Sequence, residues 1–106
     1  MSIVEILKKA KELMEYNEDV RIRIKPLRTS LASVSLTKGV ITLDPKVLKL
    51  NEEVVLYILV HEIAHLKAKT VFHSPIFREE IKKIFTNEKS EELEKAALSI
   101  KLRCAE

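Results

Sequence analysis

Seven consecutive apolar residues, 54 to 60, stand directly before a cluster of ionisable side chains. A helix that is apolar on every face is expected to be buried on every face, so this run predicts the central helix of the fold. The run ends at His61 and Glu62, and His65 follows one helical turn after His61. Imidazole and carboxylate groups are costly to bury unless they are paired or bind a metal ion. The same short stretch therefore constrains both the fold and the function.

The residues from His61 to His65 have the pattern H-E-x-x-H, which on a helix indicates a zinc site. Positions i and i+4 lie on one face of a helix, so both imidazoles can bind a single ion. Glu62 lies about 100° further round the helix, where it suits a general base better than a ligand. Two histidines and a glutamate can also form a solvated helix face, but the apolar residues before them argue against that reading. We predict one catalytic Zn²⁺, with His61 and His65 as ligands and Glu62 as the catalytic base.

A catalytic zinc ion usually has three protein ligands and one open position. His73 is the predicted third ligand, because the central helix should end near residue 70 and Ser74-Pro75 has the form of a new helix start. Glu79 and Glu80 are the alternative ligands, unless they form a solvated face.

Length and composition place limits on the class of protein. The chain of 106 residues suits one domain, and we expect residues 1–106 to form a single unit. One cysteine, Cys104, cannot form an internal disulfide, and there is neither an N-terminal apolar segment nor a run of eighteen apolar residues. These features predict a cytoplasmic protein with no membrane segment. The absence of glutamine and the many lysines and glutamates are typical of proteins from hot environments.

Positive charge is concentrated in residues 21–49, which hold seven basic side chains and one acidic side chain, a net charge of +6. Such a segment could attract an acidic peptide or a nucleic acid. Arginine and lysine on a strand also keep an exposed sheet edge soluble and unpaired. No aromatic residues are interleaved to stack on bases, so we do not expect nucleic acid as a partner.

The spacing of apolar residues predicts the order of the secondary structure. Helical spacing covers residues 3–16, 51–69 and 75–85, and it returns from residue 88 onwards. Strand alternation covers residues 20–25 and 32–36, and Thr37-Lys38-Gly39 then turns the chain into a strand over 40–43. The order predicts an α+β fold. An N-terminal helix precedes a three-stranded, mostly antiparallel sheet packed on the central helix, and two further helices follow at the C-terminus.

The residues Val60-His61-Glu62-Ile63-Ala64-His65-Leu66-Lys67, followed by His73-Ser74 and Phe77, resemble the signature of the gluzincin metallopeptidases with histidine as third ligand. The hairpin sequences 29–35 and 39–43 resemble the same relatives, so the likeness covers about residues 20–80. It is closest to the minimal soluble members called minigluzincins, and more distant to SprT-like and HtpX-type peptidase domains.

This resemblance implies a zincin-like domain that acts as a zinc-dependent metalloendopeptidase. In such enzymes the glutamate, here Glu62, takes a proton from the zinc-bound water and passes it to the leaving amine. The resemblance also implies that the segment from Ala32 to Leu36 is an edge strand that pairs with an extended peptide or protein substrate. The predicted substrate-binding residues are Ala32, Ser33, Val34 and Ser35.

Minigluzincins are kept latent by C-terminal segments, so the resemblance implies that residues 88–106 cover the cleft. They would do so within one chain or across a homodimer that exchanges its C-terminal helices. Cys104 and Glu106 are the candidate zinc ligands of the latent form, and an ordinary packing helix is the alternative. The competing function is a non-catalytic zinc-binding module for a protein or nucleic-acid partner, in which a fourth protein ligand closes the site.

Overall fold

The computed structural model describes residues 2–28, 30–69, 75–85, 88, 89, 91–93 and 95. In chain order its elements are α1 (Ile3–Leu13), β1 (Arg21–Ile24), β2 (Ala32–Ser35), β3 (Val40–Leu43), a 3-10 helix (Pro45–Lys49), α2 (Glu52–Ala68) and α3 (Pro75–Lys82). Residues 88, 89, 91–93 and 95 are also helical. This order confirms the predicted α+β fold.

The helix α2 lies at the centre of the described structure. It begins after Asn51, whose side-chain oxygen accepts a hydrogen bond from the Val54 amide at 2.9 Å, and it ends at Lys69 in the left-handed conformation. Every residue from 54 to 60 is buried, as the apolar run predicts, and α1, β2 and α3 each pack against α2. Despite this apolar character, none of the described helices combines the length and the hydropathy needed to cross a membrane.

The sheet has the strand order β1-β3-β2. The predicted hairpin is confirmed, since β2 and β3 are antiparallel with Val34 opposite Ile41, and the turn between them closes at Gly39 with φ 63°. A Cβ atom at Gly39 would lie 3.1 Å from the backbone oxygen of Asp19, so glycine also suits the close approach there. One part of the prediction needs correction: β1 is parallel to β3, so the sheet is mixed and not mostly antiparallel. The hairpin places β3, and not β2, beside β1.

Two further details differ from the predicted pattern. The first helix ends at Leu13, before the predicted residue 16, and Glu15 then turns the chain with φ 53°. The predicted buried face of β1 is only partly covered. Val20 and Ile22 are half-buried, but Ile24 is 43% exposed. An edge strand has a neighbour on one side only, which explains the incomplete cover.

A buried carboxylate joins the segment after β1 to the end of β3. Asp44 is 3% exposed, and its two oxygens accept hydrogen bonds from the Leu27 and Lys46 amides, each at 2.9 Å. The hydrogen bond from the Leu27 amide contributes most, and together with the bond from the Lys46 amide it holds the pKa of Asp44 below its usual value. The Asp44 amide donates to the Leu31 carbonyl at 2.9 Å. Asp44 therefore fixes the chain on both sides of the connection that leads into β2.

We expect Asp44→Asn to lower the free energy of unfolding at pH 7 by about 2 kcal/mol, because the amide nitrogen must face one of the two backbone N–H donors. Because the pKa of Asp44 is lower in the folded state than in the unfolded state, its ionised carboxylate stabilises the protein above the unfolded pKa of about 4. This stabilisation is lost as the pH falls through the folded-state pKa. The deficit of the variant should therefore shrink progressively below about pH 4. Denaturant unfolding between pH 7 and pH 2 measures both effects. The exposed Asp19→Asn is the control, and equal stability of the two variants at pH 7 would contradict this role of Asp44.

Candidate metal centre

Two imidazoles lie on one face of α2. The ring centroids of His61 and His65 are 5.1 Å apart, and the ring planes meet at 79°. Four residues correspond to slightly more than one helical turn, so the two side chains stand one above the other. His65 is buried, whereas the His61 side chain retains 22% exposure. The pair is therefore held in the core but can be reached from outside through His61.

Glu62 adds a buried carboxylate to this pair. Its Oε1 lies 3.5 Å from Nδ1 of His61, and the residue is only 7% exposed. One nitrogen from each histidine and one oxygen of Glu62 lie within 4.8 Å of one another. Among the described residues, His61, Glu62 and His65 form a cluster that is compact enough to hold a metal ion.

The donor set and its size fit a zinc ion. Zinc binds imidazole nitrogen and carboxylate oxygen at about 2.0–2.2 Å, so two ligands at tetrahedral positions are about 3.4 Å apart. The observed limit of 4.8 Å requires only small side-chain rotations to reach that separation. His61 and His65 can supply two nitrogen ligands, and Glu62 can supply either a third ligand or a base beside the ion.

Aromatic side chains surround the two imidazoles. Phe77 of α3 stacks on the ring of His65, with centroids 4.4 Å apart and an interplanar angle of 25°, and it meets His61 edge-on at 4.9 Å. Tyr57 is buried, as expected for a core residue, and lies between His61 at 6.1 Å and Phe85 at 5.4 Å. These contacts restrict the orientations of both imidazole rings. Sequence reasoning gave Phe77 no role, because its contact depends on how α3 packs on α2.

The predicted site residues divide into three groups. His61, Glu62 and His65 come together as described. Ala32 to Ser35 form β2, which packs on α2. His73, Cys104 and Glu106 lie outside the described residues. Of the alternative ligands, Glu79 is exposed, and Glu80 forms an ion pair with Lys67, its Oε2 lying 3.0 Å from Nζ.

The outer side of β2 presents backbone hydrogen-bonding groups. The Leu31 carbonyl accepts a hydrogen bond from the Asp44 amide, so Leu31 and, by alternation, Ser33 direct their backbone groups towards β3. The N–H and C=O groups of Ala32 and Val34 therefore point away from β3. No described strand pairs with this side of β2.

Comparison with known proteins identifies a consistent set of relatives. Residues 2–96 match the family described as YgjP-like, metallopeptidase domain. Among curated proteins, the chain is 32% identical over 82 residues to an uncharacterized protein of Methanocaldococcus jannaschii, a match that covers 76% of this chain and 74% of the relative. It is 36% identical over 77 residues to an uncharacterized protein of Aquifex aeolicus, covering 72% of this chain and 69% of the relative.

Two solved structures are similar over almost the whole chain. The crystal structure of the metallopeptidase zymogen abylysin of Pyrococcus abyssi is 45% identical, covers 92% of this chain and 93% of its own, and has a TM-score of 0.89. That of the metallopeptidase zymogen jannalysin of Methanocaldococcus jannaschii is 28% identical, covers 93% of this chain and 96% of its own, and has a TM-score of 0.84. The family match includes the segment that carries His61, Glu62 and His65.

Proposed function

Because this chain belongs to the YgjP-like metallopeptidase family, we propose that it hydrolyses peptide bonds with one zinc ion held by His61, His65 and His73, and with Glu62 as the base. The observation that carries this proposal is the pair of imidazoles one turn apart on a buried helix, with a buried carboxylate 3.5 Å from the first. The same pattern supports membership of the gluzincin clan.

His73 is proposed as the third ligand on the basis of its place in the chain. It stands two residues before Pro75, where α3 begins, and α3 packs on α2 beside the two imidazoles. The described residues before and after His73 thus belong to the two helices that meet at His61 and His65. A zinc ion bound by such ligands lowers the pKa of a coordinated water to about 7 and polarises the carbonyl of a substrate.

Glu62 is proposed to move the protons of the reaction. Its carboxylate accepts the proton that the attacking water gives up, and it then donates that proton to the nitrogen of the leaving amine, so the residue ends as it began. Burial keeps solvent away from the carboxylate, which strengthens its interactions with nearby charge. The carboxylate lies beside His61 because the two residues are adjacent on α2.

The substrate is proposed to bind as an extended strand along the outer side of β2. The backbone groups of Ala32 and Val34 point away from β3, and β2 packs on the helix that carries the histidines. Pairing through the backbone gives affinity with little dependence on sequence. The side chains of Ser33 and Ser35 line the same strand and complete the proposed substrate-binding set.

The C-terminal segment is proposed to keep the enzyme latent. Abylysin and jannalysin are both described as zymogens, and the family match of this chain ends at residue 96. Leu93 is buried in the core, and Lys89 forms an ion pair with Glu53 near the start of α2. These two contacts hold the start of the segment on the core, and residues 88–106, with Cys104 and Glu106 as candidate zinc ligands, are proposed to cover the cleft.

The domain and its surroundings complete the proposal. Residues 1–106 are proposed to form one zincin-like domain, with 88–106 as its inhibitory segment, acting within one chain or through a swapped homodimer. A cytoplasmic location and a hot habitat stay predictions from the single cysteine and from the composition.

We expect Glu62→Gln to lower kcat by about 10³-fold, because a proton acceptor in the transition state contributes typically 10²–10⁴-fold. The zinc content should stay near one per chain, since the amide leaves the three histidines in place. Peptide hydrolysis and elemental analysis of the same samples measure both, and the exposed Glu52→Gln on the same helix is the matched control. A zinc-loaded parent without hydrolytic activity, with and without its tail, would favour the non-catalytic module.

We expect Val34→Pro to lower kcat/KM by about tenfold relative to Val34→Ala, since one backbone hydrogen bond of about 1.4 kcal/mol to the substrate is lost. Proline removes an N–H that points away from β3, so the pairing of β2 with β3 should persist. Circular dichroism checks the fold of both variants. Equal activity of the two would show that the substrate does not pair at Val34.

We expect a chain ending at Lys95 to hydrolyse peptides about tenfold faster than the full chain, the change that 1.4 kcal/mol of tail binding would produce. This truncation keeps Leu93 and the Lys89 contact, so the core should stay intact. Cys104→Ser and Glu106→Gln in the full chain identify a ligand from the tail, and sedimentation of the full chain identifies a swapped dimer. A folded, zinc-loaded truncated chain with unchanged activity would refute latency.

A further inference from the structure

A network of charges joins the ends of three helices, α1, α2 and α3. Nζ of Lys67 lies 3.0 Å from Oε2 of Glu80 and donates a hydrogen bond to the Met14 carbonyl at 2.8 Å. Nζ of Lys83 lies 3.2 Å from Oε1 of Glu80. The network therefore connects the C-terminal ends of α1, α2 and α3.

The pair formed by Lys67 and Glu80 is largely sheltered from solvent. The Glu80 side chain is 14% exposed and that of Lys67 is 30% exposed. Burial alone would raise the pKa of Glu80, but the hydrogen bonds and charges of Lys67 and Lys83 outweigh it and lower that pKa. A sheltered pair of this kind restricts geometry more than an exposed pair, because each charge left without the other would be poorly solvated.

Glu80 and Phe77 are three residues apart on α3, so they lie near the same face of that helix. Phe77 stacks on the ring of His65 and Glu80 pairs with Lys67, which gives α3 two separate contacts with α2. Apolar burial of Phe77 and Ile81 holds α3 against the core, but such burial is non-directional and tolerates sliding. The ion pair joins two specific atoms, so it fixes the rotation and the position of α3 on α2.

We propose that Glu80 is a positioning residue for the metal centre: its ion pair with Lys67 sets how α3 lies on α2, and thereby holds Phe77 stacked on His65. The inference rests on the proposed function in one respect, namely that His61 and His65 are the metal ligands. Groups that orient metal ligands change metal affinity by 10–100-fold when they are altered, although they do not touch the metal.

The test compares Glu80→Gln with Glu79→Gln. Both remove one carboxylate from α3, but Glu79 is exposed, whereas Glu80 is paired with Lys67 of α2. We expect Glu80→Gln to weaken zinc binding about tenfold, as measured by competition with a chelator of known affinity. In the metal-free protein, the NMR signals of the His65 ring protons should lose the shift that stacking on Phe77 produces. Glu79→Gln should leave both measurements at the parental value.

A role in folding stability alone would give a different result. It would lower the unfolding temperature of Glu80→Gln but leave the His65 signals and the zinc affinity of the folded protein unchanged, and this outcome would overturn the proposal. Lys67→Arg and Lys67→Met give a second comparison, should Glu80→Gln fail to fold. The zinc affinity of Lys67→Arg should stay within about threefold of the parental value, because arginine keeps the positive charge. Lys67→Met should lose as much zinc affinity as Glu80→Gln.

The two proposals fail in different ways. A parent chain that is folded but binds no zinc contradicts the proposed function, whatever the variants do. If the parent chain binds zinc, and if Glu80→Gln and Lys67→Met bind zinc as tightly as Glu79→Gln does, only the positioning role is contradicted.

Discussion

The burial of α2 on all sides is the constraint from which the rest of the structure follows. A helix placed at the centre of a small domain must be apolar where it meets each neighbour, and residues 54–60 meet this demand. On the next turn His65 and Glu62 are therefore buried and His61 is half-buried, in an environment where unpaired charge is disfavoured. A metal ion bound there would take the nitrogen lone pairs of both histidines and would supply Lewis-acid chemistry, with Glu62 beside it as the proposed base.

Each neighbour of α2 contributes one property to the site. The sheet brings β2 to α2 with an outer side that no described strand covers, and Asp44 fixes the chain that leads into β2. The helix α3 brings Phe77 onto His65, and the Lys67–Glu80 pair restrains α3. The helix α1 closes the core from another direction and accepts a hydrogen bond from Lys67 at its C-terminal end. A chain of 106 residues can thus hold a metallopeptidase site, because one helix serves as both the core and the support of the ligands.

Local patterns predicted what depends on neighbouring residues in the chain. The start of α2 after Asn51, the hairpin turn at Gly39 and the cluster of His61, Glu62 and His65 all follow from short sequence signals. Contacts between distant segments could not be predicted in this way. The parallel pairing of β1 with β3 depends on which strand the hairpin presents to β1, and the stacking of Phe77 on His65 depends on the packing angle of two helices. The hydrogen bond from the Leu27 amide to Asp44 was missed for the same reason, since Leu27 lies in a segment without a regular pattern.

The central claim is that the imidazoles of α2 bind one divalent cation in the folded protein, and titration of the metal-free chain with zinc tests it most directly. Calorimetry of the parent, of His61→Ala and of His65→Ala, each first shown to be folded by circular dichroism, gives stoichiometry and affinity together. The account predicts one zinc ion per parent chain, and a loss of at least about a hundredfold in affinity when either imidazole is removed. A folded parent chain that takes up no zinc, or variants that bind it as tightly as the parent, would contradict the account.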